Sequence, residues 1–540
     1  MEEIINKIKS NNILIGVAGP GAGKTYTFKK IIESKEYSGK KILVLSFINK
    51  LIDDLTNELS CYNNVEVRTL HSFANKYLGN VQMISFLDNL IKEDYNYIYN
   101  KDFDFEEKLY LNELSKNTNE FSFYRDRKSF YEQKKERIYS FNSAILAVNI
   151  KFESKKDTIP QYDLILIDEF QDFNLLEFHL IKLLNLKTKI VIVGDDDQSL
   201  YSFKQAKPSI IRELFNDNSK EKFSLDYCRR CTEIIVKASN NLLKESIRLG
   251  LLKGRIDKKF LYPVGDNKSK DELSNKINKI DFIPKLQGQQ LIYHLTKKIL
   301  NDIKDSSSQK QKRILILAPK HYHKTLYDGL VKNNFIVLDY ELFSYEQKNE
   351  MSHLSLIQAF NILSKTKTDN LYLRLILNLY LNKEDISNIL KQNKKIWSCL
   401  DNKVKKMIEA DISLFKKAKN GTKDFTDLEI VRLNRIFNLK NLINKMLNGF
   451  DKVKPNAINV EIVTPMSSKG LSADLVYYVY IDDDILFGKE KNKTDNKICE
   501  FFVGITRAKE RLTLISKNEE NPSILKLLGM SNINKIEIIN

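Results

Sequence analysis

The sequence predicts an α/β protein of two units with parallel sheets, each interrupted by a mostly helical insertion. Three observations carry this reading. A short apolar strand, a Gly-rich turn and a helical run follow one another near the N-terminus. Further apolar runs end in acidic residues, as strands do when their tips carry chemistry. Two long stretches with helical spacing separate the strand-bearing regions. At 540 residues the chain is also too long for a single core.

The first strand is Ile13-Leu14-Ile15-Gly16-Val17. It runs into Ala18-Gly19-Pro20-Gly21-Ala22-Gly23-Lys24-Thr25, and Tyr26 to Ser34 has helical spacing. This is the setting of a phosphate-binding loop. Glycines let the backbone curl so that its N–H groups point inward at phosphates. Lys24 supplies a point charge, Thr25 offers a hydroxyl to Mg²⁺, and the helix N-terminus adds a favourable dipole. The generic pattern has Gly where this chain has Ala18. Lys41 to Phe47 reads as a buried strand and Asn49 to Leu59 as a helix. Residues 80–158 are rich in Tyr, Phe, Lys, Glu and Asn with helical spacing, the mark of an insertion. Leu164 to Ile167 and Ile190 to Val193 restore the strand pattern. A second unit carries Ile314 to Leu317 and Asp474 to Ile481, with a mostly helical stretch at about 341–455 between them. The domain expectation is therefore 1–220 for the first unit and 221–540 for the second.

The strand ends carry the chemistry. Asp168-Glu169-Phe170-Gln171-Asp172 follows one strand. One carboxylate there can hold Mg²⁺ and a second can orient or deprotonate an attacking water. Gly194-Asp195-Asp196-Asp197-Gln198 follows another, and Gln198 can reach a terminal phosphate. Arg229-Arg230 precedes a helix, and Arg507 follows the apolar run Phe501-Phe502-Val503. An arginine placed against a phosphoryl-transfer transition state neutralises charge spread over its equatorial oxygens.

Lys plus Arg number 87 against 70 Asp plus Glu, a net charge of +17 that suits a polyanion such as nucleic acid. Five cysteines do not make a disulfide scaffold, and the lone pair Cys228 and Cys231 has no second pair to complete a zinc site. No run is apolar and long enough to cross a bilayer, and Met1 to Lys9 has no secretory apolar region. These features point to a cytoplasmic protein.

Taken in order, the segments resemble the UvrD/Rep family of superfamily 1A DNA helicases. Ala18 to Thr25 matches that family's Walker A, which begins with Ala. Ser46 to Lys50 resembles motif Ia, Thr69 to Ala74 motif Ib, Asp168 to Asp172 motif II and Gly194 to Tyr201 motif III. Leu225 to Asn240 resembles motif IV, Thr464 to Val476 motif V with Ser468-Lys469-Gly470-Leu471, and Val503 to Lys509 motif VI. The resemblance covers the motor cores and not the insertions. It implies two RecA-like domains that clamp one ATP with Mg²⁺ and pull single-stranded DNA 3′ to 5′. It implies Lys24, Asp168, Glu169, Gln198, Arg230 and Arg507 as catalytic, and Thr25 and Asp168 at the metal. Residues 18–25 with Tyr26 and Arg229 would hold nucleotide, and Phe47, His71, Phe73, Tyr201 and Phe203 would contact DNA.

The chain departs from the family where relatives read base and sugar. Residues 1–17 contain no Gln, Arg229 stands where an aromatic stacks on the base, and Ser472 replaces a ribose-binding Glu. These changes imply hydrolysis of several NTPs at comparable rates. The short insertions also resemble compact UvrD-like subunits of Gabija anti-phage systems, which implies an alternative role sensing NTP or DNA beside a nuclease partner.

Overall fold

A computed structural model describes residues 1–46, 56, 59, 61–79, 81–102, 119–132, 137–200, 207–305, 312–338, 353–420, 425–426, 428–430, 432–433, 458–488 and 494–537. The chain forms two compact units. One comprises Met1–Leu70, Lys155–Leu342 and Lys454–Asn540; the other comprises His71–Ser154 and Phe343–Val453.

The first unit holds two parallel sheets. In one, β1 (Ile13–Ala18), β2 (Ile42–Ser46), β3 (Val65–Thr69), β4 (Leu164–Ile167), β5 (Ile190–Gly194) and β6 (Glu221–Leu225) take the order β3-β2-β4-β5-β1-β6. In the other, β7 (Ile280–Ile283), β8 (Ile314–Leu317), β9 (Ile336–Leu338), β10 (Asn459–Val463), β11 (Ala473–Val479), β12 (Ala508–Ile515) and β13 (Ile533–Lys535) take the order β9-β10-β8-β11-β12-β7-β13. The central strands β2, β4, β5 and β8 are buried along their whole length, which is why they read as unbroken apolar runs rather than alternating ones. These are two RecA-like α/β lobes.

The helix Lys24–Ile32 starts at Gly23, whose φ of +88° suits glycine, and buries Thr27, Phe28, Ile31 and Ile32 on one face. Burial of Phe28 alone is worth about 1.5–3 kcal/mol. The helix Leu175–Asn185 opens on a reciprocal cap: Asn174 accepts from the Glu177 N–H and Glu177 accepts from the Asn174 N–H, both at 2.9 Å. That cap fixes the chain just beyond Asp172.

The domain expectation needs two corrections. Glu221–Leu225 pairs with β1, so the first lobe runs to Leu225 and not to residue 220. The two insertions are not separate appendages. They form the second unit together, from residue 71 rather than 80 and to 154 rather than 158, with 343–453 in place of 341–455. At its centre Arg374, fully buried, pairs with Asp94 at 2.6 Å and Glu93 at 3.1 Å. A buried guanidinium needs such partners, and here they come from the other insertion.

Candidate nucleotide site

β4, β5 and β1 are neighbours, and the register pairs Val17 with Gly194 and Ile167 with Ile192. The residues that follow these strands leave the sheet along one edge, where open α/β sheets bind ligands. After β1 the backbone turns through Gly21, φ +67°, and Gly23 before the helix that begins at Lys24. A side chain at Gly21 would come within 2.3 Å of the Arg230 Cβ, and one at Gly19 within 2.8 Å of the Phe260 ring. Glycine is thus required both for the turn and for the approach of the second lobe's chain.

Lys24 Nζ lies 2.6 Å from Glu169 Oε1 and 3.9 Å from Asp168 Oδ1. Glu169 Oε2 accepts from Gln171 Nε2 at 2.6 Å, and Gln171 Oε1 accepts the Asp195 N–H at 2.9 Å. Glu169 sits in the left-handed region at φ +53°, a strain of about 1–2 kcal/mol for a residue with a Cβ. Burial pushes the Asp168 carboxyl up to about 6, with Lys24 pulling the other way. Burial acts upward on Glu169 too, yet Lys24 and Lys469 overcome it and hold the group down at about 2. The two adjacent carboxyls are therefore held apart, one firmly ionised and one under-compensated. The latter is suited to a divalent cation.

The second lobe closes the site. Arg507 is buried, donates from Nε to the Val503 carbonyl at 2.8 Å and from Nη1 to the Leu471 carbonyl at 3.2 Å, and points Nη2 at Gln198 Oε1, 3.3 Å away. Burial, reinforced by the charge of Arg230, lowers Arg507 to about 9. A guanidinium so poorly compensated favours an incoming anion. Arg230 donates to the Thr506 carbonyl at 3.5 Å while its Cβ abuts Gly21, and the Arg229 N–H donates to the Gly21 carbonyl at 2.9 Å. Both sheets thus contribute side chains to one buried polar cluster around Lys24, Glu169, Gln198 and Arg507.

Comparison with known proteins fits this arrangement. Residues 1–204 match a family model described as an AAA domain. An ATP-dependent DNA helicase Rep from Buchnera aphidicola is 23% identical over 96% of this chain and 95% of its own length. A probable DNA helicase II homolog from Mycoplasma genitalium is 23% identical over 97% of this chain and 85% of its own. An ATP-dependent DNA helicase PcrA from Staphylococcus epidermidis is 25% identical over 43% of this chain and 38% of its own. The similarity runs through both lobes. The chain is similar to UvrD/Rep-type superfamily 1 helicases.

The structure brings together Lys24, Asp168, Glu169, Gln198, Arg230 and Arg507, with Thr25 beside Lys24 on the same first helical turn. Two of the expected nucleotide contacts have exposed side chains. The Arg229 side chain is exposed and paired with Asp266 at 3.0 Å, so only its backbone reaches the loop. Tyr26 is 61% exposed, its ring beside Lys30, because the helix turns it outward. Among the expected DNA contacts, Phe73 is fully buried against Tyr77 at a ring separation of 4.6 Å and cannot present its face to a base. His71 is half-buried against Phe141. Phe47, Tyr201 and Phe203 lie outside the described residues.

Sequence reasoning missed Lys469 as a site residue. Its ammonium donates to Asp172 Oδ2 and, at 2.6 Å, to the Gln198 carbonyl, and lies 3.9 Å from Glu169. The Ser-Lys-Gly-Leu segment was the available signal, since it lies in the stretch that resembles motif V.

Proposed function

We propose that this chain hydrolyses ATP to move 3′ to 5′ along single-stranded DNA and unwinds the duplex ahead of it. The observation that carries the reading is the Arg507–Gln198 contact. The guanidinium of one lobe lies 3.3 Å from the Gln198 amide oxygen of the other, and Lys24 lies 2.6 Å from Glu169. A triphosphate cradled by residues 18–25 would meet positive charge from both lobes, and its cleavage would remove the group that both grip. Glu169, ionised and hydrogen-bonded, is the candidate base for the attacking water. Arg507 and Arg230 would stabilise charge on the transferring phosphoryl group. Thr25 and the under-compensated Asp168 fit a Mg²⁺ ion, which when bound would supply charge neutralisation between phosphate oxygens.

The net charge of +17 supports a DNA partner, as do the relatives named as DNA helicases. His71 is the described candidate for strand contact. A cytoplasmic site of action belongs to this reading; no described helix is long and apolar enough to cross a membrane.

The test is hydrolysis of ATP, GTP, CTP and UTP with and without single-stranded DNA, followed by strand displacement on 3′- and 5′-tailed duplexes. DNA-stimulated hydrolysis with displacement from the 3′ tail is expected. Hydrolysis without displacement, joined to nucleotide-controlled cleavage by a co-purified nuclease, would assign the sensing role instead. No turnover under any condition would overturn the motor.

A further inference from the structure

Three consecutive aspartates, Asp195, Asp196 and Asp197, leave β5 with at most 1% of their surface exposed. Like charges so close and so dry cannot remain ionised without cations among them. Their oxygens lie close enough to share a metal ion, but a lysine already occupies the place. Lys258 Nζ lies 2.9 Å from Asp195, 2.5 Å from Asp196 and 2.8 Å from Asp197. Arg212 pairs with Asp196 at 2.8 Å and Arg255 with Asp197 at 2.7 Å. Three cations therefore face three carboxylates, and of these cations Lys258 alone pairs with Asp195 among the described residues.

Asp195 is also the residue that sets the direction of Gln198. Its Oδ2 accepts from Gln198 Nε2 at 2.7 Å, which leaves Gln198 Oε1 toward Arg507. An ionised carboxylate can only accept, so it fixes which end of the amide turns to the arginine. Lys258 lies on a segment tied to both lobes. The Ile256 N–H donates to Asp196 at 3.0 Å, the Leu252 N–H donates to Asp495 at 2.8 Å, and Phe260 packs against Phe502 at 6.0 Å and against Gly19.

We propose that Lys258 is a positioning residue for nucleotide hydrolysis: by balancing the aspartate triplet it holds the Gln198 amide with its oxygen toward Arg507. The proposal rests on the hydrolytic reading above. Without Lys258, Asp195 would lose the cation that holds it in place, and its grip on Gln198 Nε2 would loosen. The amide would then be free to turn its N–H₂ to Arg507, donor against donor, and the contact between lobes would be lost.

The test is steady-state ATP hydrolysis by the full chain with saturating single-stranded DNA. The variants are Lys258→Met, Lys258→Arg, Asp195→Asn, Gln198→Ala and Gln198→Ala with Lys258→Met. Lys258→Met should lower kcat about 100-fold, as small misplacements do. KM should change less than about threefold, since the loss is confined to the transition state. Lys258→Arg should recover most of kcat. Added to Gln198→Ala, Lys258→Met should cost less than about twofold, because residues acting as a unit are non-additive. Wild-type kcat in Lys258→Met, or a full multiplicative loss on top of Gln198→Ala, would overturn the proposal. Should Lys258→Met melt below assay temperature, Asp195→Asn decides: it breaks the same link while Asp196 and Asp197 still hold Lys258. Wild-type kcat there overturns the proposal. A wild-type chain with no turnover would overturn the hydrolytic reading and this inference together, whereas an active wild type with unaffected variants overturns only the latter.

Discussion

Lys469 donates its ammonium to Asp172, joining the turn between β10 and β11 to the chain just beyond β4 across 297 residues of sequence. Both side chains are almost wholly buried, at 2% and 0% exposure. A pair so enclosed is costly to break from one side, because the remaining charge stays dry and alone. Lys469→Met should lower stability by about 3–5 kcal/mol. Adding Asp172→Asn should restore part of that loss, with a coupling of at least about 1 kcal/mol in denaturant titration. Additive losses would mean that the contact carries no energy.

The same pair makes a pH prediction. Burial, opposed by Lys469, pushes the Asp172 carboxyl up to about 6 from an ordinary 3.8, and its Oδ1 has no hydrogen-bond partner. The folded chain therefore binds this proton more tightly than the unfolded chain. Between 3.8 and about 6 the Asp172 contribution to stability falls as pH rises. Asn cannot ionise, so Asp172→Asn should gain on the wild type when unfolding is measured at about pH 4 and again at about pH 7. A gap that stays constant between the two would assign Asp172 an ordinary carboxyl.

Lys24→Ala and Glu169→Gln should each reduce hydrolysis by at least about 10²–10⁴-fold, the range for a positioned acid–base group. DNA binding measured by fluorescence anisotropy should change little. Loss of binding in both variants would place these residues in the DNA path and not in the cleft.

Base selectivity should be weak. The exposed Arg229 side chain turns to Asp266, and no glutamine precedes the phosphate loop. A pocket that hydrogen-bonds its base discriminates by about 10⁴-fold, and this chain should fall far below that when kcat/KM is compared for ATP and GTP.

Phe73→Ala should act through folding. The ring is fully buried, so removal should cost about 3–5 kcal/mol. DNA binding should decline only in step with the loss of helical circular dichroism. Weaker binding by a fully folded variant would return Phe73 to the strand interface.

Much of the site was legible because it is local. Strand, glycine turn, Lys24 and Thr25 follow one another in thirteen residues, and Asp168 and Glu169 cap a strand that reads as apolar from end to end. Such segments are built by short-range geometry, so sequence alone displays them. Lys258 and Lys469 were not legible in this way. Their partners lie 61–63 and 297 residues away, and even where a motif marks the lysine, as around Lys469, it does not name the partner. Arg229 and Phe73 misled for the complementary reason. Residue type fixes what a side chain can do, but competition from Asp266 and the packing of a helix face decided what each does.

The sequence by itself determined two nucleotide-type α/β lobes, the phosphate loop and the identities of the acids and arginines, since these depend on hydrophobic period and turn chemistry. Tertiary structure alone decided which charges neutralise which, that Arg507 meets Gln198, that Lys258 fills the aspartate triplet, and that the two insertions form one body. Those outcomes depend on the burial of charge, which forces every dry ion to find a partner wherever the fold brings one.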